Sequence, residues 1–195
     1  NKRILIDEFK VPDDNCKDIA DAIKNGTARG ISDGSFRPEE EAGTSSFRIS
    51  PGKTSKHVMK GSNWVPGVKK DQSAYRSELA GIDGILSVLK VIVDFYKIGS
   101  GSIELALDGE SAMDQANDAG YLYTSQKSFD IIHDIRARVK ELPIKIQWRH
   151  VRGHALEKGL AQDWWTTQNE KVDAAAKAFM RKCLEKNQEH YAVLL

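Results

Sequence analysis

Four carboxylates occupy positions from which they could act together. Asp33 ends a predicted strand, Glu78 opens a long predicted helix, Asp108 ends another strand, and Asp173 lies early in the last helix. In an open sheet, strand ends and the helices beside them meet at one crevice. Four carboxylates there could not all stay ionised without a cation, because like charges raise one another's pKa. Their oxygen atoms suit Mg²⁺ or Mn²⁺, and two such ions about 4 Å apart support phosphodiester hydrolysis.

Each acid also has an ordinary structural interpretation. Asp33 and Asp108 are each followed by glycine, as turn residues and helix N-caps often are. Glu78 stands where the helix dipole favours an acid, and Asp173 could be an exposed helix residue. Spacing and composition alone therefore leave open whether the four side chains meet.

Hydrophobic periodicity places the acids in a chain of mixed α/β type. Strands are expected at 28–33, 42–50, within 55–65, at 103–107 and at 144–151. Helices are expected near 19–25, at 74–97, near 109–118, over 129–142, and from a capping box at Thr167-x-x-Glu170 onward. This order predicts a mixed five-stranded sheet, with three antiparallel strands followed by parallel strands, flanked by helices.

Length and charge restrict the class of protein. The 195 residues fit one domain, and we expect residues 1–27 to form an N-terminal extension or linker before a domain over 28–195. The 29 basic and 28 acidic residues disfavour a nucleic-acid binder driven by net charge. Two cysteines, Cys16 and Cys183, exclude a disulfide-rich scaffold and favour an intracellular protein of the cytoplasm or nucleus. No apolar run approaches the roughly 20 residues that span a membrane.

Five short segments fall on the expected elements in a fixed order. They are SDGS at 32–35, YRSEL at 75–79, LALD at 105–108, WRHVRGH at 148–154 and NEKVDAAAK at 169–177. Together they resemble the ribonuclease H type 1 family, and in particular the ribonuclease H domains of retroelement reverse transcriptases. The Trp-rich stretch at 163–165 is also similar to the retroelement members, although both Trp side chains could simply anchor this loop against the last helix.

The resemblance implies a ribonuclease H-like fold and an endonuclease that cuts the RNA strand of RNA–DNA hybrids, leaving 3′-hydroxyl and 5′-phosphate ends. It implies two Mg²⁺ ions, with Mn²⁺ as an alternative. Asp33 would bridge both ions, Glu78 and Asp108 would complete one site, and Asp173 would complete the other. His154 matches a mobile histidine that assists proton transfer or product release. A polymerase domain upstream in the same polypeptide is a candidate partner.

Two basic stretches, residues 48–76 and 136–158, are candidate contacts to a nucleic-acid backbone. Recognition of a hybrid should rest on its shape and its 2′-hydroxyl groups rather than on its sequence. The predicted substrate contacts are Gly34, Ser35, Phe36, Gln72, Tyr75, Arg76 and Arg152.

Two other functions compete with the hybrid nuclease. One is a non-catalytic module that binds nucleic acid or protein on the same scaffold, and the presence of all four carboxylates speaks against it. The other is a different nuclease on this scaffold, such as a 3′–5′ exonuclease or a transposase-like enzyme, in which the spacing of the acids and the element order differ.

Overall fold

The structure is a computed structural model that describes residues 7–54, 56–153 and 163–192, with side chains described as far as residue 186. The strands are β1 (Glu8–Lys10), β2 (Ala28–Arg37), β3 (Ala42–Ser50), β4 (Met59–Trp64), β5 (Ser102–Leu107) and β6 (Lys145–His150). The α-helices are α1 (Lys17–Asn25), α2 (Ala74–Phe95), α3 (Glu110–Asn117), α4 (Phe129–Glu141) and α5 (Trp164–Ala192). No helix among the described residues is both long enough and apolar enough to cross a membrane.

The strands form one mixed sheet in the order β1-β4-β3-β2-β5-β6. The first four strands in this order pair antiparallel, whereas β2, β5 and β6 pair parallel. The predicted arrangement is therefore confirmed, but the predicted count of five strands is wrong by one. The extra strand is β1, whose three residues are all exposed. An exposed edge strand needs no alternation of apolar residues, so its sequence carries no strand pattern.

The N-terminal residues pack on the same sheet. Residues Glu8–Lys10 pair with β4, and helix α1 buries Ile19 and Ile23 completely in the main core. Gly26 ends α1 in the left-handed conformation, at a φ of 72°, as its sequence predicts. The domain boundary after residue 27 stays a prediction, although residues on both sides of it share this core.

Helices cover both faces of the sheet. Helix α2 fills the main core with Leu79, Ile82 and Leu86, which are fully or almost fully buried. Helix α5 covers the opposite face, where Trp165 and Val172 pack on Ile31, Ala106 and Val151. Two helices and a sheet thus hold the elements that carry the candidate site.

Helix α5 begins earlier than predicted. The Asp163 carboxylate accepts a hydrogen bond from the Thr166 amide at 2.8 Å, and the Thr166 hydroxyl accepts one from the Asp163 amide at 2.9 Å. This reciprocal pair is a capping box one turn before the predicted one at Thr167. The Thr167 hydroxyl instead donates to the Asp163 carbonyl at 2.9 Å. Both Trp side chains consequently belong to the first turn of the helix and not to a loop.

Strand β2 also extends beyond its predicted end. The sequence predicts that the strand stops at Asp33 and turns, but it continues to Arg37 opposite β3. Gly34 is present for packing and not for a turn, because a Cβ atom there would lie 2.6 Å from the Ser77 carbonyl carbon of α2. The glycine therefore lets helix α2 approach the strand that carries Asp33.

Candidate active site

Parallel pairing aligns two of the acids. The last parallel pair between β2 and β5 is Ile31 with Ala106. Asp33 and Asp108 each follow two residues later, so they lie side by side at the same end of neighbouring strands. Glu78 joins them from the start of α2, and carboxylate oxygens of all three lie within 4.8 Å of one another.

The peptide around Gly34 fixes two of these carboxylates. The Gly34 amide donates to Asp33 Oδ1 at 2.7 Å and to Glu78 Oε1 at 3.3 Å. Ser73 caps α2 by accepting a hydrogen bond from the Arg76 amide at 3.1 Å, which sets where the helix begins. The other Glu78 oxygen, Oε2, is buried and has no hydrogen-bond partner among the described residues. This oxygen is available to a ligand that enters the crevice.

Burial and like charge dominate the electrostatics of the cluster. Only 6% of Asp33 is exposed. Burial first, and then the charges of Glu78 and Asp108, raise the pKa of Asp33 to about 10. Burial and the charge of Asp108 raise the pKa of Glu78 to about 7. A divalent cation would offset both effects. The unpaired Glu78 oxygen and the all-carboxylate donor set therefore fit Mg²⁺ or Mn²⁺.

Asp173 lies at the margin of this cluster. It does not belong to the group of oxygens within 4.8 Å, and its Oδ2 accepts a hydrogen bond from Lys177 one turn along α5 at 2.7 Å. Its charge nevertheless contributes to the raised pKa of both Asp33 and Glu78. The structure thus brings three of the four predicted acids together and leaves the fourth near enough for its charge to act on two of them.

The predicted helper histidine, His154, lies outside the described residues, so its role stays a prediction. The loop before it passes close to the acids, because a Cβ atom at Gly153 would lie 2.3 Å from Asp108 Oδ2. A second histidine, His150, is exposed at the end of β6, and its Nε2 lies 3.1 Å from the Asp108 carbonyl oxygen. Sequence reasoning missed His150, although its place opposite Leu107 follows from parallel pairing of β5 with β6.

Two of the predicted substrate contacts, Arg76 and Gln72, form hydrogen bonds within the protein. Arg76 is 2% exposed, and its guanidinium donates to both carboxylate oxygens of Asp130, at 2.8 and 2.5 Å, and to the Pro66 carbonyl at 2.8 Å. Gln72 donates from Nε2 to the Val65 carbonyl at 3.2 Å. We therefore assign both side chains a positioning role, which ties the start of α2 to α4 and to the end of β4.

The other predicted contacts surround the crevice. Ser35 and Phe36 follow Gly34 on β2 and are partly buried, and the Ser35 carbonyl accepts a hydrogen bond from Ser77 at 3.2 Å. Tyr75 is partly buried beside the main core, whereas Arg152 is exposed next to the loop that passes Asp108. These residues keep surface from which a bound strand could be contacted.

The mixed sheet, with acids at the shared end of β2 and β5 and helices on both faces, defines a ribonuclease H-like fold. No protein-family model matches the chain, and no curated protein does. Solved structures do match. For a ribonuclease H1 from the halophilic archaeon Halobacterium salinarum, the identity is 16%, the match covers 80% of this chain and 99% of that one, and the TM-score is 0.52.

Two further structures support the same fold. The N-terminal ribonuclease H domain of a Mycobacterium tuberculosis protein, solved as a fusion with maltose-binding protein, is 13% identical over 83% of this chain and 98% of that one, with a TM-score of 0.53. LC11-RNase H1, solved in complex with an RNA/DNA hybrid, is 12% identical over 81% and 99%, with a TM-score of 0.57. The chain therefore has the fold of ribonuclease H type 1.

Proposed function

We propose that this protein is an endonuclease that hydrolyses the RNA strand of RNA–DNA hybrids with the help of Mg²⁺. The observation that carries the proposal is the meeting of Asp33, Glu78 and Asp108 within 4.8 Å at the open end of a ribonuclease H fold. Like charges this close in a buried site are costly, so their convergence needs a function. The hybrid bound by the similar LC11-RNase H1 supplies the substrate class.

The proposal divides the four carboxylates between two cations. Asp33 would be shared between two cations, with Glu78 and Asp108 on one and Asp173 on the other. When bound, the ions would activate the attacking water and stabilise the leaving oxygen. The Gly34 amide keeps Asp33 and Glu78 in place, and Asp173 would exchange its hydrogen bond with Lys177 for a ligand position.

The substrate would lie across the crevice. Backbone and side chains at Ser35, Phe36 and Tyr75 would contact the strands by shape, and Arg152 would contact a phosphate. His154 would transfer a proton near the leaving group, which suits a side chain that titrates near neutral pH. The proposal includes a reverse-transcriptase context, supported by the motif resemblance at 163–165; an open reading frame encoding a polymerase upstream of residue 1 would test that part.

Cleavage of a hybrid with end-labelled RNA tests the proposal directly. We expect internal cuts that require Mg²⁺ and leave 5′-phosphate ends. Asp33→Asn and Asp108→Asn should each lower turnover about 1,000-fold or more, because metal-assisted stabilisation of the transition state is worth several kcal/mol. Glu110→Gln is the matched control, since this exposed acid stands at the start of α3, two residues after Asp108, outside the cluster. Its turnover should change little.

Three outcomes would overturn the proposal or part of it. Hybrid binding without Mg²⁺-dependent cutting would support the non-catalytic module. Stepwise shortening from one end would indicate an exonuclease. Asp173→Asn with unchanged turnover and unchanged Mg²⁺ dependence would remove Asp173, and with it the second cation, from the mechanism.

A further inference from the structure

A row of basic side chains crosses the sheet at a distance from the acids. Strand pairing sets Arg48 of β3 opposite Lys60 of β4, and Lys60 opposite Lys10 of β1. Residues paired in this way point to the same face of a sheet. Thr44, four residues before Arg48 on the same strand face, donates a hydrogen bond to the Ala176 carbonyl of α5 at 2.9 Å. The basic row therefore lies on the face that α5 covers in part.

Helix α5 adds a fourth basic residue and separates the row from the candidate active site. Burial first, and then the charges of Arg48, Lys10 and Lys171, lower the pKa of Lys60, so Lys171 of α5 lies near the row. Asp173 follows two residues later and hence about 200° around the helix. The acids and the basic row thus occupy opposite flanks of the same helix.

No ion pair within the described part of the chain neutralises these charges. None of Lys10, Arg48, Lys60 and Lys171 forms an ion pair with a described residue, and the nearby acid on β1, Glu8, pairs with Lys182 instead. Like charges held together without counter-charges raise the free energy of the folded state. The arrangement is therefore expected to have an external partner that is negatively charged.

Arg48 gives the clearest indication of such a partner. Its side chain is partly buried, its Nε is inaccessible to solvent, and Nε has no hydrogen-bond partner among the described residues. Burial also lowers the pKa of this guanidinium. A buried donor left unpaired costs about 1–3 kcal/mol. The two amino groups of the same guanidinium are not among the buried unpaired atoms of the described residues, so they remain available to an acceptor from outside the chain.

We propose that Lys10, Arg48, Lys60 and Lys171, named here the basic patch, bind the phosphodiester backbone of nucleic acid as a contact separate from the candidate active site. Strands lie about 4.8 Å apart, so the row from Arg48 to Lys10 spans about 10 Å. One nucleic-acid strand presents a phosphate about every 3.4 Å along the helix axis, so several phosphates can face this row at once. Contacts of this kind confer affinity without sequence preference. The proposal extends the proposed function but does not need cleavage to be true.

The salt dependence of binding tests the basic patch. A short fluorescent RNA–DNA hybrid is titrated with the full chain in EDTA, where no cleavage occurs, between about 50 and 200 mM salt. Each phosphate contact contributes about 0.9 to the slope of log affinity against log salt. Lys10→Gln/Lys60→Gln should therefore reduce the salt-induced loss of affinity by about tenfold over this range. Arg48→Gln should reduce it by about threefold.

A second double variant makes the test specific. Lys24→Gln/Lys97→Gln removes the same amount of charge from two exposed sites, one in the last turn of α1 and one in the turn after α2. It should leave the salt slope within error of the unmodified protein. Thermal unfolding should show that Lys10→Gln/Lys60→Gln is folded, since removing like charges relieves repulsion.

Either of two results would overturn the inference. One is an unchanged salt slope in Lys10→Gln/Lys60→Gln, which is also what an acidic protein partner would give. The other is an equal decrease in the salt slope of Lys24→Gln/Lys97→Gln, which would show that the effect depends on net charge alone. Asp33→Asn separates the two proposals, because it should lose cleavage and keep the full salt slope. A protein that never cuts, yet shows the patch-dependent slope, would refute the nuclease and leave the basic patch standing.

Discussion

Replacing Asp33 with asparagine should stabilise the protein in metal-free buffer. The substitution keeps the shape of the side chain and an oxygen that can accept the Gly34 amide hydrogen bond. It removes the ionisable group that lies within 4.8 Å of Glu78 and Asp108. Most core substitutions destabilise, so an increase in stability at a residue that is only 6% exposed would be diagnostic of a charge cluster.

The size of the effect follows from the proton that folded Asp33 keeps. Ionised, Asp33 would be repelled by a unit charge 4.8 Å away by about 3 kcal/mol at an effective dielectric constant of about 20, and burial adds to that cost. Keeping the proton instead costs about 1.4 kcal/mol for each pH unit above the unfolded pKa of about 4. We therefore expect Asp33→Asn to raise the free energy of unfolding by up to about 5 kcal/mol at pH 8, which for a chain of this size corresponds to a rise in Tm of roughly 10–20 °C.

The effect must also depend on pH in a defined direction. Because the pKa of Asp33 is raised in the folded state, the folded chain retains a proton that the unfolded chain gives up above about pH 4. Stability of the unmodified protein should thus fall as pH rises from about 4 towards the raised value. Asparagine does not titrate, so the difference between the two proteins should vanish near pH 4 and grow up to pH 8.

Thermal unfolding in EDTA, followed at several pH values, measures this difference. The matched control is Asp94→Asn on the exposed end of α2, where Asp94 pairs with Lys90; it should stay within about 0.5 kcal/mol at every pH. Added Mg²⁺ should stabilise the unmodified protein, by about 2.7 kcal/mol at a hundredfold excess over Kd, and Asp33→Asn far less. A lower Tm for Asp33→Asn at pH 8, or a difference that ignores pH, would refute the reasoning.

Three further changes test structural roles. Asp130→Asn leaves the buried guanidinium of Arg76 facing a neutral partner, and urea unfolding should show a loss of about 1–3 kcal/mol; an unchanged midpoint would contradict the positioning role. Asp163→Ala removes the capping box of α5 and should cost about 1 kcal/mol in the same assay. The hydrogen bond to Asp18 raises the pKa of His57, so its stabilising contribution should be present below about pH 6.5 and disappear as pH rises through the raised pKa; His57→Ala should abolish that pH dependence of Tm.

The order of elements could be predicted because apolar spacing reports burial. Helix α2 shows this best, since Leu79, Ile82 and Leu86 recur at helical spacing and all three are buried. Strand β1 could not be predicted in this way, because it joins the sheet through backbone pairing alone while its side chains stay exposed. The same limit applies to the end of β2. Gly34 lies within the strand and makes room for helix α2, although an Asp-Gly pair is typical of a turn.

The candidate site could be predicted as a set of residues but not as a geometry. Motif order pointed to Asp33, Glu78, Asp108 and Asp173, and parallel register explains why Asp33 and Asp108 lie side by side. Motif order could not distinguish Glu78, which faces the crevice, from Arg76, two residues earlier on the same helix turn. That distinction depends on Asp130, which comes from α4 and neutralises Arg76 inside the protein.

The rotation of helix α5 about its own axis decides on which side of the helix each charged residue lies. Trp165 and Val172 stand seven residues apart and therefore on nearly the same side of the helix, which packs on the sheet. With that side fixed, Lys171 and Asp173 lie about 100° to either side of it. The charge of Lys171 acts on Lys60, and that of Asp173 acts on Asp33 and Glu78. If the helix were rotated by one residue, which is about 100°, Lys171 or Asp173 would replace Val172 in the buried face and lie against Ile31. Burial of two apolar side chains in one helix therefore holds Lys171 and Asp173 on opposite flanks of α5, as the two proposed contacts with one nucleic-acid substrate would require.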